Sequence, residues 1–553
     1  MNAAMNRRTF LKRTAAAGLA LTIGYSAGCE KQNQPHIVLI MADDMGYSDL
    51  GCTGGEIDTP NIDRLAETGV MMTRFYNSAR CAPTRASLLT GLYPHQAGMG
   101  MMTEGLMTPD STSIPAYQGY IKSSCPTLAE VLHENGYQTF LSGKWHVGDP
   151  EPSRPDHRGF ERTFSLIWGA SNYFNLEPFI TENMEIILEK DGEPIQTSDD
   201  FYMTTAITDH ALNFLDQRDS EKPFFLYLSY TAPHWPLHAL PKDIERYQGK
   251  YLRGWDAIRH ERYSRMLELG VIPEHWKLSP AFYANDFLTP DWDNLTTEQK
   301  QTWDKRMAVY AAQMYRMDAG IGHVMQKLEQ KGIADNTIVL FLSDNGACRA
   351  AIYAATGWCA ERSGPVGSGD SFDSYGASWA NVSNTPFRQF KATTYEGGII
   401  TPLIISWPDK LPSGRLVDAP GHIIDIMPTL LEAAGAGYPK RFNSNATPSM
   451  EGRSLLPLWR GERDAFERDR PLFWEHNENR AVRAGKWKLV YLKEKDTWEL
   501  YDMQGDGTEC TDLADRYPDV VESLKQKYFA WTERVNVIHN TDSLILMRHA
   551  DWF

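Results

Sequence analysis

Two short, unbroken apolar runs end in clusters of oxygen-bearing side chains, and together they limit this chain to few folds. His36-Ile-Val-Leu-Ile-Met41 runs into Ala42-Asp43-Asp44, and Thr337-Ile-Val-Leu-Phe-Leu342 runs into Ser343-Asp344-Asn345-Gly346. An apolar run without alternation is the pattern of a strand covered on both faces, as in parallel sheets. Open α/β sheets build their sites at the carboxyl ends of such strands. Three carboxylates gathered there would repel one another unless a cation sat among them. Donors that are all oxygen point to a hard ion, Ca²⁺ or Mg²⁺, rather than zinc. A single Asp at a strand end is an ordinary turn or cap residue. Two such clusters ask for a common purpose.

Two more runs share the design. Gln138-Thr-Phe-Leu-Ser142 leads to Gly143-Lys144-Trp145-His146, and Phe224-Phe-Leu-Tyr-Leu-Ser229 leads to His234 and His238. Their placement after buried strands directs these histidines to the same end of the sheet. Helices fit between the strands. One starts after Thr59, an expected N-cap, with Pro60 in its first turn and Gly69 as its stop. Others cover Gly254 to Leu269 and Ala308 to Gln330, the latter with Tyr310, Met314, Met317, Ile321, Val324 and Leu328 at helical spacing as a core face. The predicted fold is α/β, a large mixed but mostly parallel sheet flanked by helices.

The segment from Pro439 to Pro471 reads as a boundary. Beyond it, Lys486 to Tyr491 and Trp498 to Tyr501 alternate as half-buried strands. A helix with Val521, Leu524, Tyr528, Trp531 and Val535 on one face follows. The expected organisation is residues 1–34 as a leader and tether, 35–445 as a catalytic domain, and 446–553 as a small antiparallel sheet-plus-helix subdomain. The stretch 347–386 looks irregular, and loops of that length are usually functional or disordered. Together with Met99 to Tyr120 and His238 it is the expected rim of the site.

The most specific string is Asn77-Ser-Ala-Arg-Cys81-Ala-Pro83-Thr-Arg85-Ala-Ser87-Leu-Leu-Thr-Gly91. Proline in a first turn and glycine past the end punctuate a helix, so Cys81 falls at a helix N-terminus, where N–H groups and the dipole favour an anion. Arg85, one turn on, suits an oxyanion. A lone cysteine would more simply be a buried structural residue. The whole string, however, resembles the signature of the type I, formylglycine-dependent sulfatases (the arylsulfatase family of the alkaline-phosphatase-like superfamily). Asp43-Asp44-Met-Gly-Tyr-Ser-Asp49, Thr59-Pro60-Asn61, Gly143-Lys-Trp-His146, Ser343-Asp-Asn-Gly346 and Tyr395-Glu-Gly-Gly398 stand in that family's order, and Phe387 to Trp407 looks like its bacterial arylsulfatase branch.

The resemblance implies a sulfuric ester hydrolase. A maturation enzyme would oxidise Cys81 to formylglycine. One Ca²⁺ per chain would be held by Asp43, Asp44, Asp344, Asn345 and the modified Cys81. Arg85, Lys144, His146, His234 and Lys391 would surround the sulfate. A hydrate hydroxyl would attack sulfur with Asp344 as proton acceptor. His234, with Lys391, would assist the leaving oxygen, and His146 would deprotonate the remaining hydroxyl so that sulfate is expelled. The competing readings are a phosphonate or phosphate diester hydrolase of the same superfamily, and a glycan-binding surface lipoprotein with a dead site.

Composition narrows the partners. The 553 residues carry a net charge of −16, with 42% hydrophobic residues. That is a globular balance, and it gives no long-range attraction for nucleic acid or anionic lipid. An anionic substrate needs a local positive site; sulfated carbohydrates are the expected natural class. Asn6-Arg7-Arg8-Thr9-Phe10-Leu11-Lys12 looks like a twin-arginine export signal, followed by an apolar stretch from Ala15 to Ile23. Ser26-Ala27-Gly28-Cys29 resembles a lipoprotein cleavage box with serine in place of leucine. The expectation is a periplasmic or cell-surface protein, with Cys29 as a lipidation site that would attach it to a membrane. The seven cysteines are 29, 52, 81, 125, 348, 359 and 510. Without Cys29 and Cys81 an odd number is left to pair, and Cys348 and Cys359 are close enough to bridge.

Overall fold

The computed structural model describes residues 34–102, 114–178, 186–281, 291–352, 364–464 and 471–539. The expected leader and tether up to residue 33, Cys29 and Cys359 lie outside them. Nine strands carry the main sheet: β1 (His36–Ala42), β2 (Val70–Tyr76), β3 (Gln138–Lys144), β4 (Arg162–Leu166), β5 (Leu188–Lys190), β6 (Phe224–Ser229), β7 (Thr337–Ser343), β8 (Ile400–Ser406) and β9 (Arg415–Val417). Their order is β9-β2-β8-β7-β1-β6-β3-β4-β5, extended by two-residue strands at Glu193–Pro194 and Gly421–His422. The block β7-β1-β6-β3-β4 is parallel, whereas β8 runs antiparallel to both β7 and β2.

The register fixes the site. Ala42 pairs with Ser343, Met41 with Ser229, and Gly143 with Ser229, so the carboxyl ends of β7, β1, β6 and β3 finish in line. Gly143 has φ 119°, and a Cβ there would lie 1.8 Å from the Ser229 carbonyl oxygen. Only glycine lets these two strand ends approach so closely beside Lys144.

The apolar strands are covered on both sides, as their continuous hydrophobicity requires. Val38 and Ile40 face a core containing Met314, Met317, Ile321 and Val324 from the helix Thr297–Gln330. Ile37, Leu39 and Met41 face a second core with Leu88 and Leu89 from the helix Cys81–Thr90. The long helix begins eleven residues earlier than its apolar spacing suggests, because Thr296 and Gln299 form a capping box: Thr296 Oγ1 accepts from Gln299 N–H, and Gln299 Oε1 accepts from Thr296 N–H.

Thr59 does not cap the helix Pro60–Thr68. Its hydroxyl is engaged by Asp63 and by Gly51 N–H. The cap comes instead from Asp318 on the long helix, whose buried carboxylate accepts from Asn61 N–H at 3.1 Å and Ile62 N–H at 2.9 Å.

The C-terminal sheet contains β10 (Leu472–His476), β11 (Asn479–Ala484), β12 (Trp487–Leu492) and β13 (Thr497–Asp502), all antiparallel, with the helix Pro518–Val535 packed against it. Trp474 and Tyr501 belong to the first core, and Phe473, Leu500 and Tyr528 to the second. The described residues from Pro35 to His539 form one compact unit. Among the described residues no helix is long and apolar enough to cross a membrane.

Candidate active site

Four strand ends and one helix start deliver the chemistry to a single point. The helix Cys81–Thr90 opens on Cys81 itself, with Arg80 as N-cap. Arg85, one turn in, is fully buried and ties three strands together. It donates to Asp344 Oδ2 at 2.7 and 3.1 Å, to the Lys144 carbonyl at 3.3 Å and to Ser229 Oγ. Ser229 in turn donates to the Lys144 carbonyl. Ser229 and Tyr227 are the hydroxyl partners of Arg85, a role that the apolar run containing them does not announce. Their position at the end of β6 was the available signal.

Lys144 Nζ lies 2.7 Å from Asp43 Oδ2, and Lys391 Nζ lies 2.5 Å from Asp44 Oδ1. His234 Nε2 stands 3.4 Å from Asp44 Oδ2, while its Nδ1 is 2.5 Å from the Trp235 carbonyl oxygen. A carbonyl can only accept, so Nδ1 carries a proton, and Nε2 is the nitrogen turned toward the carboxylate oxygen. Burial pushes the His234 pKa well down, and Lys391 and Lys144 reinforce this against the pull of Asp44. A proton on Nε2 would bridge this pair, and so would a cation.

Further unpaired oxygens favour the cation. Asp43 Oδ1, Asp44 Oδ2 and Asn345 Oδ1 are buried without a hydrogen-bond partner. Oxygens of Asp43 and Asp44 and a ring nitrogen of His234 all lie within 4.8 Å of one another. Asn345 Nδ2 donates to Asp44 Oδ1 at 2.7 Å, which places its amide in the same cluster. The residues therefore fit a divalent cation, with a nitrogen beside the expected oxygens.

Around Cys81 the charges are positive. Burial raises its thiol pKa, but Lys144, His146 and Lys391 outweigh that and bring it down to about 6. His146 follows β3 with φ 59°, and Asp44, Ala79 and Ala392 share the left-handed conformation at φ 66°, 64° and 71°. Each costs about 1–2 kcal/mol in a residue other than glycine, and each lies at or within two residues of a site residue. All ten sequence-predicted positions thus meet in one place.

Two expectations about the rim are corrected. His238 is buried, accepting from Tyr173 N–H through Nδ1 and bonding the Ser371 carbonyl through Nε2, so it braces the loops rather than facing substrate. The stretch around Trp379 is a helix, Gly376–Ser383, enclosed on every side. Its small residues and tryptophan are core, not rim.

A family model described as Sulfatase matches residues 35–436. The chain belongs to the sulfatase family. It is accordingly a sulfuric ester hydrolase. A second family model, described as N-sulphoglucosamine sulphohydrolase, C-terminal, matches residues 388–534 of this sulfatase. An arylsulfatase of Klebsiella aerogenes is 36% identical over 457 residues, covering 81% of this chain and 97% of that one. An uncharacterised sulfatase of Schizosaccharomyces pombe is 34% identical over 545 residues, covering 93% and 96%. The crystal structure of Ps i-CgsB in complex with k-i-k-neocarrahexaose has a TM-score of 0.66 at 24% identity, covering 92% and 96%.

Proposed function

We propose that this sulfatase hydrolyses sulfate esters of carbohydrates with a formylglycine formed from Cys81 and a bound Ca²⁺. The observation that carries the reading is the placement of Cys81 at a helix start, against Lys144, His146 and Lys391 and beside the unpaired oxygens of Asp43, Asp44 and Asn345. The carbohydrate class is supported by the amino-sugar sulfohydrolase description of the C-terminal match.

When formed, the formylglycine hydrate supplies an oxygen nucleophile in place of a thiol. When bound, Ca²⁺ supplies positive charge toward the sulfuryl oxygens. Asp43, Asp44, Asp344 and Asn345 would hold the cation, with residue 81 alongside. Arg85, pinned by Asp344 and Ser229, presents a fixed guanidinium, and Lys144 and Lys391 add two ammonium groups that neutralise charge on the transferring sulfuryl group. Asp344 accepts the proton of the attacking hydroxyl. His146 serves as base for the second hydroxyl at position 81, and His234 Nε2 assists the departing oxygen.

Mass spectrometry of the tryptic peptide ending at Arg85 should show Cys81 having lost sulfur and two hydrogens and gained one oxygen. Active enzyme carrying only unmodified cysteine would overturn the mechanism. Chelation should abolish turnover of an aryl sulfate and lower the thermal midpoint, and Ca²⁺ should restore both better than Zn²⁺. Faster hydrolysis of an aryl phosphonate ester than of the matching sulfate would favour the diesterase reading.

His234 allows a separate test. His234→Ala should slow esters of sugar alcohols more than 4-nitrophenyl sulfate, by about 10²-fold or more in ratio, because an activated phenolate leaves without a proton. Equal losses on both substrates would remove the leaving-group role.

Export is part of the same proposal. The twin-arginine-like segment would carry the chain to the periplasm or cell surface, and lipidation at Cys29 would hold it on a membrane. Fractionation of cells expressing Cys29→Ala, compared with wild type, tests the attachment.

A further inference from the structure

His476 closes β10, and the hairpin turn that follows, Asn477-Glu478, has φ values of 49° and 67°. This hairpin tip is clamped on both sides of the imidazole. Glu475 Oε2 pairs with His95 Nε2 at 2.9 Å. Asn479, which pairs with His476 across the hairpin, donates through Nδ2 to the carbonyl of Ala392 at 3.1 Å. Ala392 follows Lys391 directly, and its N–H donates to the Ala79 carbonyl two residues before Cys81. The tip therefore abuts the segment that carries Lys391, which in turn is bonded to the segment leading into Cys81.

The His476 ring is 1% exposed, yet neither Nδ1 nor Nε2 has a hydrogen-bond partner. Among the described residues no other buried histidine outside the catalytic cluster leaves both ring nitrogens unmatched. Leaving a buried polar group unpaired costs about 1–3 kcal/mol, so native structures rarely do so without a purpose. The charged groups acting on the ring are Arg80, His95 and Lys391. It thus lies one step out from the sulfate-binding group Lys391, on the side of the C-terminal sheet.

We propose that His476 is a specificity residue that hydrogen-bonds a hydroxyl of the sugar carrying the scissile sulfate. Burial and the neighbouring positive charges hold the ring neutral. A neutral imidazole offers one N–H and one bare nitrogen. A hydroxyl satisfies either edge, because it can accept or donate. A carboxylate or a second sulfate only accepts and could use only the N–H edge. The ring therefore selects a neutral polyol rather than a second anion. This assignment rests on the sulfatase reading, and the test separates the two.

The experiment compares 4-nitrophenyl sulfate with whichever of galactose, glucose and N-acetylglucosamine monosulfates wild type turns over fastest, and with the deoxy analogue lacking the hydroxyl next to that sulfate. In His476→Ala, kcat/KM for the sugar sulfate should fall about 10- to 100-fold further than for the aryl sulfate, the range expected for one or two lost hydrogen bonds in a desolvated site. The deoxy analogue should already be poor with wild type and lose little more in the variant. His476→Asn, which keeps a donor and an acceptor, should recover part of the loss. Parallel losses on sugar and aryl sulfates in both variants would make His476 structural and overturn the proposal. Unaltered sugar selectivity, or an aryl sulfatase inactive on every sugar sulfate, would overturn it too. Absence of turnover on any sulfate by wild type would instead refute the sulfatase reading.

Discussion

Cys81→Ala is expected to lower sulfate ester turnover by about 10⁴-fold or more, the scale of losing a covalent nucleophile, while the protein remains folded. The two halves of this expectation have different physical grounds. Turnover fails because the remaining groups can bind and polarise an ester but hold no nucleophile at the start of the helix Cys81–Thr90. Folding survives because little packing energy is invested in the sulfur, although Cys81 is buried. Its surroundings include the polar groups of Lys144, His146 and Lys391, and the alanine methyl keeps the Cβ in place. Arg85→Ala should differ, harming both properties. Arg85 carries the only charge at bonding distance from the buried Asp344 carboxylate among the described residues, and stranding that charge costs several kcal/mol. Turnover and urea-unfolding midpoints measured for both variants check the contrast. A Cys81→Ala protein that is unfolded, or one that keeps more than a trace of activity, would remove Cys81 from the centre of the mechanism.

Much of this site is legible in the sequence because strand ends are legible. The unbroken runs before Asp43, Lys144 and Asp344 locate β1, β3 and β7, and parallel pairing then leaves little choice but to bring their ends together. Cys81 is found by local punctuation, the proline and glycine of its own helix. What the sequence hides falls into two kinds. The first is pairing at long range. Asp318 caps a helix 257 residues away, so Thr59, a good cap by local rules, is free to bond Asp63 instead. The second is conformation without a compositional mark. Asp44, Ala79, His146 and Ala392 are left-handed with no glycine to announce it. His238 misleads for a related reason: a histidine after a buried strand has the same letters whether it faces substrate or, as here, braces Tyr173 and Ser371.

The C-terminal sheet supplies the other large effect. Lys488 on β12 is fully buried, with Nζ 2.7 Å from Glu396 Oε1 and 2.7 Å from Glu509 Oε1. Glu396 also accepts from Tyr76 at the end of β2, and its N–H donates to Glu509 Oε2. One lysine thus binds the catalytic sheet, the segment following Lys391 and the C-terminal sheet together. Lys488→Met should cost about 3–5 kcal/mol at pH 8, the penalty for leaving buried charge without its partner. The loss should depend on pH in a defined direction. Burial raises the Glu509 carboxyl to about 7 even though Lys488 opposes the rise, with Glu396 adding to it. The folded chain therefore keeps a proton that the unfolded chain has released, so Glu509's contribution is fullest below the ordinary carboxyl range and is lost as pH rises through about 7. Without Lys488 the carboxyl rises further, so the variant should lose most at pH 8 and recover much of the difference at pH 5, where the proton is already in place. Urea midpoints of both proteins at the two pH values give the comparison. A penalty that is the same at pH 5 and pH 8 would mean that the methionine fails through packing, and that the lysine does not act by neutralising two carboxylates.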